Sequence, residues 1–183
     1  MPLVHFVSPA DLDAALSVVQ DELIANGLWE RVNRTEVFWC RLPQWPPRAM
    51  GFFIHAPHPW IPRLAARLGY HVGHIYIPGP FVARRNLRDV LRHEYAHALA
   101  HYRPSVHRAK AFTKAFGAGY WHATPTVAQA ERRDCVSAYA QTRPMEDFAE
   151  TFMLYLRRGG RLPRRLTARI RRKWAFIAHL NGG

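Results

Sequence analysis

Proline divides this chain. Fourteen prolines fall in 183 residues, and each fixes φ near −65° and removes a backbone donor, so regular elements must fit between them. Ser8-Pro9 followed by Asp11 reads as a helix start, with Ser8 as N-cap and Pro9 as first helical residue. Leu12, Leu16, Val19 and Leu23 then form a helical stripe ending near Gly27. Residues 35–41 and 50–55, rich in aromatic and β-branched side chains, read as strands, and the three prolines of LPQWPPR make the segment between them a loop. A short helix over Ile61–Leu68 stops at Gly69, and a strand over 72–77 stops at Pro78-Gly79-Pro80.

From about residue 86 the pattern turns helical. Asn86 with Asp89 resembles a capping box, and the helix it opens must end near Tyr102, before Pro104. A helix over 105–116 ends at Gly117, and residues 118–143 read as one short helix after Thr124-Pro125 and then loop. Pro144 suits the first turn of a helix reaching Arg158, with Gly159-Gly160 as the stop. A last helix over 165–180 places Leu166, Ile170, Trp174 and Ile177 on one face and Arg169, Arg171, Arg172 and Lys173 elsewhere. The expectation is a single α+β domain: a small mixed α/β layer with a sheet over 1–84, and a mainly helical half over 85–183.

Apolar residues make up 49% and charged residues 21% of the chain, a globular composition that excludes wholesale disorder. No apolar run approaches the ~20 residues that span a bilayer. The N-terminus lacks the basic and apolar regions of a secretory signal, which predicts a cytoplasmic protein or one exported by another route. Cys40 and Cys135 are too few for a disulfide scaffold and read as buried hydrophobes. The charge is unusual: 26 Lys and Arg against 13 Asp and Glu give +13, and only Lys110, Lys114 and Lys173 are lysines. Such a surface attracts nucleic acid, anionic lipid or acidic protein, and it is equally what an arginine-biased composition produces.

Residues 93–97 read His-Glu-Tyr-Ala-His. Histidines at i and i+4 share a helix face, so both imidazoles reach one metal ion with Glu94 beside it. Zinc accepts imidazole nitrogen and, in a catalytic site, keeps a position open for water, whose proton Glu94 would take. A third ligand is needed. His101 is eight residues from His93, ~12 Å along the axis, too far to share the ion. Ten residues after His93, where a metzincin has its third histidine, stands Arg103. Glu146 and Glu150 stack one turn apart, while Phe148, Phe152 and Tyr155 form a separate apolar face. One glutamate can bind zinc while the other accepts a hydrogen bond from a ligating histidine. The alternative is a solvated acidic stripe near a helix N-terminus.

HEYAH followed some 50 residues later by SAYAQTRPMEDFAETF resembles the gluzincin zinc metallopeptidases. It is closest to a bacterial group of zinc-binding peptidases and more distantly similar to the catalytic domain of the anthrax lethal factor. The resemblance covers roughly residues 72–180. It implies a zincin-like fold with the active-site cleft between the two parts, and a single zinc ion on His93, His97 and Glu146. It further implies Glu94 as general base, Tyr139 as donor to the developing oxyanion and Glu150 as support for a ligand histidine. Arg143 stands where such proteins often have Asn; this loses an N-cap, for which Thr142 can substitute, and places a cation where an acidic substrate group would be favoured.

In zincin-like folds the strand before the metal helix is an edge that holds extended substrate by backbone pairing. That assigns His74 and Tyr76 to substrate binding, against an interior strand with Tyr76 in the core. Gly119-Tyr120-Trp121-His122 is either cleft lining or core. The function expected is a zinc metallopeptidase acting on a peptide or protein. The competing expectation is a basic nucleic-acid-binding protein with a structural or vestigial zinc site.

Overall fold

A computed structural model of the chain describes residues 8–40, 51–56, 58–78, 87–125 and 132–180. These form an α+β arrangement of seven α-helices and a three-stranded mixed sheet. The LPQWPPR loop, Asn86 of the expected capping box, and the helix expected after Pro125 lie outside the described residues.

Helix α1 (Pro9–Ala25) starts as its sequence demands: the Ser8 side chain accepts from the Asp11 N–H, and the Asp11 carboxylate accepts from the Ser8 N–H. It buries Leu12, Ala15, Val19 and Leu23, each large side chain contributing about 1.5–3 kcal/mol relative to exposure. Strands β1 (Val37–Cys40), β2 (Phe52–Phe53) and β3 (Ile75–Pro78) lie in the order β1-β3-β2, with β1 parallel and β2 antiparallel to β3.

β3 is therefore the middle strand, and the edge expected at 72–77 is not there. Tyr76 is stacked between Phe38 and Phe52, its partners across the sheet, at 5.3 and 5.5 Å between ring centroids. Alternation puts Ile75 and Ile77 on the opposite, core-facing side. His74 shares the Tyr76 face and accepts a hydrogen bond from the Glu36 N–H. Just before β3, Gly73 turns at φ 90° and its carbonyl accepts from the Tyr102 hydroxyl; a Cβ there would land 2.5 Å from that oxygen.

Helix α2 (Ile61–Arg67) is short and mostly exposed. Helix α3 (Leu87–Tyr102) is the centre of the molecule, buried at every position from Val90 to Ala100. Its buried Arg92 is satisfied by both carboxylate oxygens of Glu22 on α1, at 2.7 and 2.6 Å, and by Asp89.

The single helix expected over 105–116 is two: α4 (Pro104–Arg108) and α5 (Lys110–Phe116), separated by extended backbone at Ala109. Packing explains the break. Val106 and the His107–Ala100 hydrogen bond hold α4 against α3, while Phe112 and Phe116 must reach an aromatic cluster with Phe148 and Phe176.

Helix α6 (Pro144–Arg157) packs along α3, and α7 (Ala168–His179) covers both α5 and α6. The N-cap of α6 is Arg143 with no side-chain hydrogen bond; Thr142 does not substitute, because its hydroxyl donates to the Tyr139 carbonyl. Lys173, grouped by sequence with the surface cations, is 1% exposed and forms a 2.6 Å ion pair with the buried Asp147.

Candidate metal centre

Helices α3 and α6 meet along the face that carries the histidines and glutamates. His93 and His97 lie one turn apart on α3, and Glu146 sits in the first turn of α6. All three are buried, so the solvated acidic stripe is overturned: Glu146 is 5% exposed and Glu150 fully buried.

The ligand atoms converge. His93 Nε2 lies 3.2 Å from His97 Nε2, and Glu146 Oε2 lies 3.2 Å from His93 Nε2 and 3.6 Å from His97 Nε2. Donors held at roughly 2.0–2.1 Å from a tetrahedral ion stand about 3.3–3.4 Å apart, and the three separations here are of that size. Glu146 Oε2 is buried and makes no hydrogen bond within the described chain, which an ion at the triangle would remedy. This buried group is able to hold a metal ion.

Each imidazole is held from behind. His93 Nδ1 lies 2.9 Å from Glu150 Oε1, and His97 Nδ1 lies 2.8 Å from the Tyr120 hydroxyl. With both Nε2 lone pairs turned to one point, each Nδ1–H donates outward, fixing tautomer and ring orientation.

Without an ion the charges settle among themselves. Burial alone pushes the His93 imidazole down, but the facing carboxylates of Glu146 and Glu150 outweigh it and raise its pKa to about 10. Burial pushes Glu146 up, yet contact with His93 and His97 holds its carboxyl well below the usual range.

Glu94 is buried beside the same group. Burial raises its pKa, opposed by His93 and His97, and the Phe53 N–H of β2 donates to it. The chain passes close here: a Cβ on Gly51 would lie 2.7 Å from Val90 and 3.4 Å from Glu94. Tyr139 sits in a one-turn 3-10 segment before α6, 44% exposed, its ring 5.7 Å from that of His93. Burial first, and then the carboxylates of Glu146 and Glu94, raise its pKa and keep the hydroxyl protonated. Arg143 is exposed at the start of α6, within electrostatic reach of Tyr139.

His93, Glu94, His97, Tyr139, Glu146 and Glu150 are thus brought together, with Arg143 at their rim. His74 and Tyr76 are not: they lie on the sheet face turned away from α3. Cys135 faces Lys173 at 3.8 Å and Asp147 at 4.0 Å, and burial pushes its thiol up to about 11.

Sequence reasoning left Tyr120 open as cleft lining or core, and it passed over His55. Tyr120, 1% exposed, backs His97 from a segment in which an aromatic run gave no sign of that role. His55, just after β2, has its ring 5.4 Å from that of His97 and both ring nitrogens buried without a hydrogen bond among the described residues. No motif spacing links either residue to His93 or His97.

Among the described residues, no helix is long and apolar enough to cross a membrane. No family model, curated protein or solved structure matches the chain.

Proposed function

We propose that the protein is a zinc-dependent metallopeptidase. The observation that carries the reading is the buried triangle of His93 Nε2, His97 Nε2 and Glu146 Oε2, at separations a tetrahedral zinc requires, with both histidines oriented from behind. A nitrogen-and-oxygen donor set with three protein groups among the described residues suits zinc in a site open to water. Bound there, zinc supplies a nucleophilic water at neutral pH and polarises the scissile carbonyl.

The chain's own groups do the rest. Glu94 takes the water's proton on its carboxylate and returns it to the leaving nitrogen; burial raises its basicity for that task. The Tyr139 O–H donates to the carbonyl oxygen as charge grows on it. Glu150 and Tyr120 hold the two imidazoles in place. Arg143 draws an acidic substrate residue to the rim.

Among the described residues β2 is an outer strand of the sheet, and the substrate-holding edge passes from β3 to it. Ile54 exchanges backbone hydrogen bonds with the β3 side, to His74 and Gly73. Alternation then turns the backbone groups of Phe53 and His55 outward, and the Phe53 N–H is the one that reaches Glu94. An extended peptide pairing with the Phe53 carbonyl and the His55 backbone would run past the metal group.

Metal content of the purified protein, followed by cleavage-site profiling on a proteome-derived peptide library, tests the reading. The expected result is about one zinc per chain and hydrolysis abolished by chelation. A folded protein that carries no zinc and takes none up ends it.

A further inference from the structure

The charge of this chain is not spread evenly. All 13 acidic residues lie before residue 151, and the last 33 residues carry nine cations, eight of them arginine, with no acidic residue. Most of these fall in one stretch of the chain, around the turn between α6 and α7. Arg157 and Arg158 end α6, Arg161, Arg164 and Arg165 lie in the turn to α7, and Arg169, Arg171 and Arg172 stand on its opening turns. Arg158, Arg161, Arg164 and Arg165 fall within eight residues of the turn that leaves α6, which makes this turn a basic cap on the end of that helix.

Neutralisation within the chain is partial. Arg157 pairs with Asp89 and Arg169 with Asp134. Arg158, Arg161, Arg164, Arg165 and Arg171 are exposed, and among the described residues they meet no carboxylate. Five guanidiniums within fourteen residues, without a carboxylate partner among the described residues, repel one another, and a partner of opposite charge relieves that repulsion.

The chemistry of the cap selects the partner. Guanidinium forks match phosphate oxygens bidentately. No aromatic residue occurs from 157 to 172, which leaves nothing for unpaired bases to stack on. Leu162, 50% exposed, is the one large apolar side chain there that is open to solvent, too little to insert into a lipid surface. A nucleic-acid duplex, by contrast, offers a phosphate every ~1.7 Å of axis and needs no apolar contact. We propose that the α6–α7 turn binds the phosphate backbone of a nucleic-acid duplex. Glu146 is eleven residues from Arg157 along α6, ~16 Å by helical rise, so the turn is separate from the metal ligands. The proposal does not depend on peptidase activity.

Fluorescence anisotropy with short labelled DNA and RNA duplexes of mixed sequence, over a range of salt concentrations, tests it. Wild type is expected to bind with log affinity falling linearly with log salt. The triple variant Arg161→Glu/Arg164→Glu/Arg165→Glu is expected to bind at least ~10-fold more weakly, with the salt slope reduced by about 2–3. A matched reversal of exposed arginines elsewhere, Arg34→Glu/Arg63→Glu/Arg67→Glu, makes the same change in net charge and is expected to keep the wild-type slope. Circular dichroism and melting curves confirm that both variants fold. The proposal is overturned if wild type binds neither duplex, if both triple variants lose affinity equally, or if phosphatidylserine vesicles are bound and duplexes are not.

Discussion

Glu150 Oε1 lies 2.9 Å from His93 Nδ1, one helical turn beyond the glutamate that faces the other nitrogen of the same ring. A single imidazole is thus held between two carboxylates of one helix, in contact with Glu146 through Nε2 and with Glu150 through Nδ1. The two glutamates stand one turn apart on α6 and face different nitrogens of that ring, Glu146 on the side shared with His97 and Glu150 behind it.

Their variants separate those consequences. Glu146→Ala removes a ligand atom and is expected to abolish tight zinc binding, since two histidines alone hold the ion poorly. Glu150→Ala leaves the triangle intact but frees the His93 ring, with an expected loss of about 10–100-fold in affinity. Competition titrations against a zinc chelator measure both. The reverse order would shift the ligand by one turn.

Tyr120→Phe removes only a hydroxyl, yet that oxygen is the partner of His97 Nδ1. Zinc affinity is expected to fall about 10-fold or more while the aromatic packing keeps the fold. Unchanged affinity would leave Tyr120 as a core residue without bearing on the metal.

Glu94→Gln preserves shape and loses the proton acceptor. The variant is expected to bind zinc as wild type does and to hydrolyse a verified peptide about 10²–10⁴-fold more slowly. Equal turnover on the same peptide removes Glu94 from the chemistry.

The metal-free protein should reveal His93 through its pH dependence. Its pKa is raised to about 10 when folded, against roughly 6.5 when unfolded. The folded state therefore holds the extra proton between those values. This stabilisation is complete below about pH 6.5 and is lost as pH rises towards 10. Urea melts of chelator-treated protein are expected to show that decline. Zinc-loaded protein should lack it, because a coordinated imidazole cannot take the proton. Parallel profiles for the two forms would refute it.

The Lys173–Asp147 pair, 1% and 0% exposed at the side chains, joins α7 to the residue after Glu146. Lys173→Met strands a buried carboxylate and is expected to cost about 3–5 kcal/mol. Lys173→Met with Asp147→Leu is expected to recover most of that loss. Thermal or urea denaturation of the single and double variants decides it; a single variant as stable as wild type would mean that Asp147 finds another partner.

What the sequence determined by itself is local. Ser8, Pro9 and Asp11 began α1 because capping is satisfied within one turn. Pro104 ended α3 because proline has no N–H to give. His93 and His97 share a face because helical periodicity requires it, so the two nitrogens at 3.2 Å were legible in advance. Glu146 and Glu150 were legible as a stacked pair, their division of labour implied only by resemblance. Everything that joins distant segments waited for the tertiary structure. Strand order made β3 central and put Tyr76 between Phe38 and Phe52, because pairing is set by long-range packing and not by a strand's own residues. Lys173 went inside because Asp147, 26 positions earlier, was there to neutralise it. Tyr120 and His55 reached His97 across 23 and 42 positions with no periodicity to announce them. Periodicity and capping act over a few residues, whereas the partner of a buried polar group is chosen by whichever element the collapsed core brings within hydrogen-bond reach.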